Sequence, residues 1–583
     1  MRLRYQLLTL LLGSLCYLSF PVNVYSATFT VTNTLGSQSS DPGSLRQAIN
    51  MANSAPGLDS IVFNIPGSGP HEIRPIVHLP EIIEAVVIDG YTQPGAFGAS
   101  SSGPASIKIV IKGDALAYVS DGITLESDGS TIKGLSIVGF SDVLGGGNAA
   151  VGINNANNNR VEGNYLGLDP SGQSWLNTCN GCVNDNGNDF GVRIRGQSDN
   201  NIIGGSTVRA RNVIAGNLNS DILLFGQLGA IPFENQILGN YIGTDHHGDA
   251  ISLYNISGIA NGQTGILLSG AFNTQIGGTY YNNGNVIAGR HFGIRAEPLT
   301  PFSLPAAATV VQGNDFKDNI TAIQLASVGH LVGGDNIQLA NTIAAADTPL
   351  HSPIGIKIIP DGQNSPGGNL IQGNYIGLSR SFRPVQTVPP DIGIVVASSD
   401  NSIGGEALGN HIFADTAGIS LSTLASVPNS PVPLNNAMSE NAISLSGVSS
   451  SAAGIDLDGD GITINDNGDA DTGANQLQNY PQILSARINS SNNAIDLKFD
   501  INNTRVSLVT VELFASSNCD RHGQRFVGRE TYNLKNIYRL GPNLTIRPVS
   551  AGIQGRVRPG EYLTATATVD GNTSEFSNCY QIQ

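Results

Sequence analysis

The residues best spaced to do chemistry in this chain are acids. Asp456, Asp458 and Asp460 alternate along the chain and Gly461 follows, so acids at relative positions one, three and five with glycine at six match the opening of an oxygen-ligand calcium loop. Position twelve is Asn467, where a bidentate glutamate would be needed, and neither flank carries a helical pattern, which argues against an EF-hand. Asp466, Asp469 and Asp471 follow closely enough to complete a looser site, so calcium is the candidate cofactor. The plainer alternative is an acidic, solvated linker.

A second constellation is cationic. The phrase Gly-Ile-x-hydrophobic recurs at Gly122, Gly152, Gly265, Gly293, Gly355, Gly393 and Gly418, with Gly191-Val192-Arg193-Ile194 as a variant. In a strand the residue after glycine and the next one face opposite ways. If the first faces inward, the outward series is Thr124, Asn154, Arg193, Leu267, Arg295, Lys357, Val395 and Ser420, with Arg195 and Glu297 two residues further along. Arg193, Arg195, Arg295, Glu297 and Lys357 are therefore the candidate substrate-binding residues. A cation can neutralise a uronate, and Lys, Arg, His or Tyr can act as the base of an elimination or epimerisation. The competing reading is a solvated face of long side chains. His246 and His247, in Thr244–Asp249, could form a metal pair, but the counterpart turn is Asp169-Pro170-Ser171-Gly172, which makes exposed turn histidines the better reading. No nucleophile motif, phosphate loop or zinc signature is present, and a carboxylate pair for glycoside hydrolysis cannot be picked without the strand register.

What must position these residues is a recurring set of short strands. Asn-x-x-x-Gly-Asn-Tyr-(Ile/Leu)-Gly stands at 159–167, 235–243 and 369–377. Asn-x-x-Ile-Gly-Gly or a variant ends at Gly205, Gly278, Gly334 and Gly405, twice followed by Asn-Val-Ile-Ala-Gly. Each phrase is a β-forming run closed by Gly or Asn, so three in rotation describe strand, corner, strand, corner, strand, which is one turn of a parallel β-helix. Gly and Asn supply the left-handed backbone of tight corners, and Asn at one corner of successive turns can stack into a hydrogen-bonded ladder.

The chain also resembles the bacterial secreted right-handed parallel β-helix repeat proteins whose N-terminal segment reads Cys-Ser-Leu-Arg-Glu-Ala-Ile. Here Gly43-Ser44-Leu45-Arg46-Gln47-Ala48-Ile49 occupies that register, with Gly43 for the cysteine and Gln47 for the acid. The resemblance covers nearly the whole mature chain and implies a fold more than an activity, because lyases, epimerases, tailspikes and adhesins share it.

With 71 Gly and 13% charged residues among 583, the composition is that of a corner-rich solenoid, and 40% hydrophobic residues exclude a disordered chain. The net charge of -16 argues against nucleic acid and anionic membrane as partners. Residues 1–27 read as a secretory signal peptide, with no other stretch able to cross a bilayer as a helix, so the mature protein is expected outside the cytoplasm. Of the cysteines left after the signal, Cys519 and Cys579 are expected to form one disulfide and Cys179 and Cys182 a loop staple.

The expected architecture is an all-β, right-handed parallel β-helix. An N-terminal helical cap and first rungs occupy 28–95, the coil 96–450, an acidic linker 451–476, and an immunoglobulin-like β-sandwich 477–583. The expected function is an exported surface for polysaccharide or a cell-surface glycan. The alternative is a secreted lyase, hydrolase or epimerase acting on an acidic glycan along the coil.

Overall fold

The computed structural model describes residues 26–36, 41–113, 120–141, 147–173, 187–251, 263–279, 282–297, 306–326, 328–345, 352–360, 367–384, 389–423, 431–447, 452–489, 494–502, 508–533, 549–551 and 557–582. Residues 1–25 of the signal segment and the Cys179–Cys182 pair lie outside these residues.

The short strands form three parallel sheets, one per side of a coil. The first has 13 strands, from Thr28–Val31 to Ala437–Ser439; the second has 12, from His71–Ile73 to Ala442–Leu445; the third has 11, from Ile123–Leu125 to Ala453–Leu457. Within each sheet, neighbouring strands come from successive turns, so equivalent side chains stack. Ile132, Val161, Ile203 and Ile237 stand over one another on the inner face of the first sheet, all fully buried. A three-residue strand cannot hold itself in water; this stacked apolar column holds it.

The phrases map onto the coil differently from the expected three-phrase rotation. Asn-x-x-x-Gly-Asn-Tyr-x-Gly covers two sides and their corner, as in Arg160–Glu162 followed by Tyr165–Leu166. Asn-x-x-Ile-Gly-Gly supplies the first side of the alternate turns, as in Ile202–Gly204, and Asn-Val-Ile-Ala-Gly then supplies the second, as in Val213–Ile214. The sequence thus repeats every two turns while the backbone repeats every one.

Two columns of buried asparagine stitch the corners. Asn164, Asn212, Asn240, Asn285, Asn314, Asn341, Asn374, Asn410 and Asn441 follow one another at the corner between the first and second sheets. Asn240 Oδ1, for example, accepts from Asn212 Nδ2 at 2.9 Å, and Asn285 Oδ1 from the Asn240 amide at 2.9 Å. The corner before the first sheet carries Asn159, Asn201 and Asn235, then Thr274, Thr309 and His330, then Asn369, Asn401, Asn436 and Asn475. These ladders satisfy corner N–H and C=O groups that the sheets leave behind. At the end of Ile202–Gly204, Gly204 has φ +86 and a Cβ there would stand 2.1 Å from the Leu238 carbonyl oxygen, so only glycine fits.

Both ends are covered. The helix Leu45–Ala52 lays Leu45, Ala48, Ile49 and Ala52 on the first rungs; Ser44 caps it by accepting from the Gln47 amide, and Gln47 Oε1 accepts from Gly43 N at 2.7 Å. Buried Arg46 ties it down through the Val77 and His78 carbonyls. At the far end, residues from Gln482 onward form a three-stranded and a five-stranded antiparallel sheet that share one apolar core, with Cys519 and Cys579 joined as expected. Phe514 and Phe576 of this unit instead enter the core of the coil. Two of its acids clasp the last turns: Glu512 accepts from the Ser439 hydroxyl and the Glu440 amide, Glu575 from the Leu457 and Thr463 amides at 3.0 Å each. Burial raises Glu512, and burial with Asp456 close by pushes Glu575 up to about 8.

The acidic linker begins later than expected. Ala453–Leu457 pairs in parallel with Ala417–Leu421, so the stretch from 453 to Leu457 is the coil's last strand. Asp456 stands on that strand rather than in a loop.

Candidate functional site

The register of the third sheet settles which side chains share its outer face. One column reads Thr124, Gly152, Arg193, Leu223, Leu267, Arg295, Gln324, Lys357, Val395, Ser420 and Asp456. The column inferred from glycine spacing is thereby corrected in two ways. Gly152 lies two residues out of step with Gly191, so Asn154 pairs with Arg195 rather than standing with Arg193. Leu223 and Gln324 belong to the column but escaped the phrase, because Asp221 and Ala322 replace the leading glycine on their turns.

Asp221 explains its own exception. That position points into the corner, and its carboxylate pairs with fully buried Arg290 at 2.7 Å, while Asn217 Nδ2 donates to its other oxygen at 3.0 Å. Asn217 bonds to one side of the pair and Asn319 Oδ1 accepts from the Arg290 amide on the other, so the pair is a structural part of that corner. Removing either partner would leave a buried charge uncompensated.

At the N-terminal part of the column a groove of about 720 Å³ is lined by Glu126, Phe190, Arg193, Arg195, Leu223 and Phe225, among others. Arg193 is largely committed inside it. Its guanidinium donates to Asp121 at 2.9 Å and to the Gly147 carbonyl, and its side chain is 12% exposed. Burial raises the Asp121 carboxyl, and Arg193 pulls it back down. Arg195 is the exposed cation, with Nε on Asn154 Oδ1 at 2.7 Å. Ala149, Phe190 and Leu223 form an apolar patch with Phe225 and Leu267 packed against it.

Three turns beyond Arg193, about 14 Å at the strand spacing, stands a second cationic group. Arg295 pairs with Glu297 and lies 4.6 Å over the Phe292 ring. Lys357 is two turns further on; burial, then the like charge of Arg295, lowers its ammonium below the ordinary lysine range. The expected residues Arg195, Arg295, Glu297 and Lys357 are thus partly exposed on one face, and Arg193 braces it.

The acidic run divides. Asp466, Asp469 and Asp471 place one carboxylate oxygen each within 4.8 Å of one another. Asp466 accepts from the Ala470 and Asp471 amides, and Asp469 from the Asn479 amide at 2.7 Å. Asp456 and Asp458 turn to other tasks: Asp456 Oδ1 accepts from Gly461 N and Asp458 Oδ1 caps Ala474 N at 2.7 Å. Among the described residues, Asp456, Asp458 and Asp460 do not join that group. Burial pushes Asp456 up to about 6.

No family model and no curated protein matches the sequence. Among solved structures the chain is similar to an alginate lyase from Paenibacillus sp. str. FPU-7, with 14% identity over 66% of this chain and 94% of that one at a TM-score of 0.25. It is also similar to a mannuronic acid specific polysaccharide family 6 lyase from human gut microbiota, with 12% identity over 72% and 87% at 0.33. A third similarity is to tailspike protein 2 of Escherichia coli O157:H7 bacteriophage CAB120, with 11% identity over 94% and 68% at 0.18. Superpositions this loose bring no activity across to the chain. Its own register defines the fold.

Proposed function

We propose that this protein is an exported β-solenoid that binds an acidic polysaccharide along the outer face of its third sheet. The observation that carries the reading is the column itself. On a chain of net charge -16, exposed Arg195 and half-buried Arg295 and Lys357 gather on one face. Between the cationic ends lie Leu223, Phe225 and Leu267. Cations match carboxylates, and aromatic or aliphatic surface matches the C–H face of a sugar. A merely solvated face gives no reason for this apolar patch. The Cys519–Cys579 bridge supports an oxidising compartment, and among the described residues no helix is long and apolar enough to cross a membrane.

One observation favours catalysis as a second reading. Burial, then the like charge of Arg295 two turns away, lowers the proton affinity of Lys357, and a lysine so tuned can take a proton while a second cation neutralises a uronate carboxylate. Incubation with oligouronates and measurement of unsaturated-product absorbance separates the two. Binding without product supports the first reading; product that disappears in Lys357→Ala replaces it with the second.

The acids at the junction carry a proposal of their own. Asp466, Asp469 and Asp471 are hard oxygen donors of the kind calcium takes, and calcium there would order the segment joining the coil to the C-terminal unit.

A further inference from the structure

The outer face of the second sheet carries a pocket separate from the third-sheet groove. Tyr165, Val213 and Tyr241 follow one another on that face. Two walls rise beside them. One is an arm in which Phe97 pairs with Ser106 and Ser100 with Gly103, held to the coil where Tyr165 Oη donates to the Ala105 carbonyl at 3.3 Å. The other is the turn closed by Gly248 N on the Asp245 carbonyl, stacked on the preceding turn by a 2.9 Å bond from His246 N to the Gly172 carbonyl. Between them is a cavity of about 410 Å³ that Ser100–Ser102, Arg211, His246 and His247 help to line. That is the size of a small-molecule site.

The cavity's chemistry points to an anion. Arg211 is held in place, its guanidinium carbon 4.0 Å from the Tyr241 ring centre and its Nε on the Gly239 carbonyl at 3.3 Å, which leaves its terminal nitrogens preorganised. The His246 and His247 rings lie 4.0 Å apart. His246 Nδ1 is buried and, among the described residues, has no hydrogen-bond partner. A buried polar atom in that state is destabilising; a carboxylate oxygen would accept from it in the Nδ1–H form, and a sugar hydroxyl would donate to it in the other tautomer. Among the described residues no acid lines the cavity, and Asp245 and Asp169 of the flanking turns are bonded locally: Asp245 Oδ1 accepts from the His247 and Asp249 amides, and Asp169 Oδ1 from the Ser171 amide and hydroxyl. The serine-rich arm on the other wall offers hydroxyl and backbone groups suited to sugar hydroxyls.

We propose that this pocket binds one carboxylate-bearing sugar residue, its carboxylate toward Arg211 and the two imidazoles and its hydroxyls toward Ser100–Ser102. The site lies on a different face from the third-sheet groove and does not depend on the reading given to that groove. The test follows the histidine ring resonances of the full chain by NMR during titration with glucuronate, glucose and inorganic sulfate. Glucuronate should shift the His246 and His247 signals, with glucose silent and sulfate at least tenfold weaker. The His246→Ala/His247→Ala double variant and Arg211→Lys should each weaken glucuronate binding at least fivefold, read by calorimetry, while Gln236→Ala on the first sheet leaves it unchanged. Absence of shifts overturns the site. Sulfate binding as tightly as glucuronate overturns the sugar assignment, and binding undiminished in the double histidine variant and in Arg211→Lys overturns the placement in this pocket.

Discussion

At the scale of single residues the most exacting position is His330. It sits in an asparagine ladder, with its amide bonded to Asn369 Oδ1 and its Nδ1 accepting from the Thr309 amide at 3.2 Å, and burial lowers its pKa from 6.5 to about 4. Between those two values the unfolded chain binds a proton that the folded chain refuses. Stability therefore falls as pH drops from 6.5 through 4, by up to about 3 kcal/mol from this residue. His330→Asn should keep the ladder bonded and flatten that part of the stability curve, measured by denaturant titration at pH 7 and pH 4.5. Equal acid sensitivity in the variant would show that the loss comes from elsewhere. Nothing in the sequence marks His330, because its role is set by which corner it occupies; Arg193 was legible as an outward cation, but its partner Asp121 lies 72 positions away and only the fold brings them together.

At the scale of elements, the corners carry the fold. Asn285 shows why: its Oδ1 accepts from the Asn240 amide and side chain, and its Nδ2 donates to the Ile237 carbonyl and to Asn314 Oδ1. Asn285→Ala would leave several of those buried groups unbonded, at about 1–3 kcal/mol each when unrelieved. The expected outcome is a loss of about 3 kcal/mol or more in the unfolding free energy, whereas a surface change such as Gln236→Ala should stay within about 0.5 kcal/mol. A ladder variant as mild as the surface one would contradict the stitching role. These corners were the legible part of the sequence, because Asn159 and Asn164 recur at fixed spacing with glycine beside them. The two-turn period was less legible, since one phrase spans a corner and another stops short of it. The outer faces were least legible. A residue such as Leu223 is apolar whether it points in or out, and only the pairing of Leu223 with Arg193 and Leu267 places it outside.

At the scale of the molecule, the coil is a rod with both ends closed, and the C-terminal unit is docked by buried acids as well as by Phe514 and Phe576. The junction calcium proposal belongs here. Millimolar calcium should raise the unfolding midpoint and slow proteolysis between residues 445 and 478, and Asp469→Ala should remove both effects. A chelator that changes neither would leave the acids as anchors for backbone amides alone. The rod also bears on recognition. The cations of the third sheet span five turns from Arg193 to Lys357, about 24 Å at the strand spacing, so a ligand must be a polymer to touch all of them. The measurement that tests this most directly is calorimetric affinity for a length series of oligouronates, on the wild-type chain and on Arg295→Ala/Lys357→Ala. We expect affinity to climb with length until the oligomer covers the column and to weaken with salt, and we expect the double variant to lose roughly tenfold or more on the long oligomers. Affinity that is independent of length, or equal in the double variant, would contradict binding along this face.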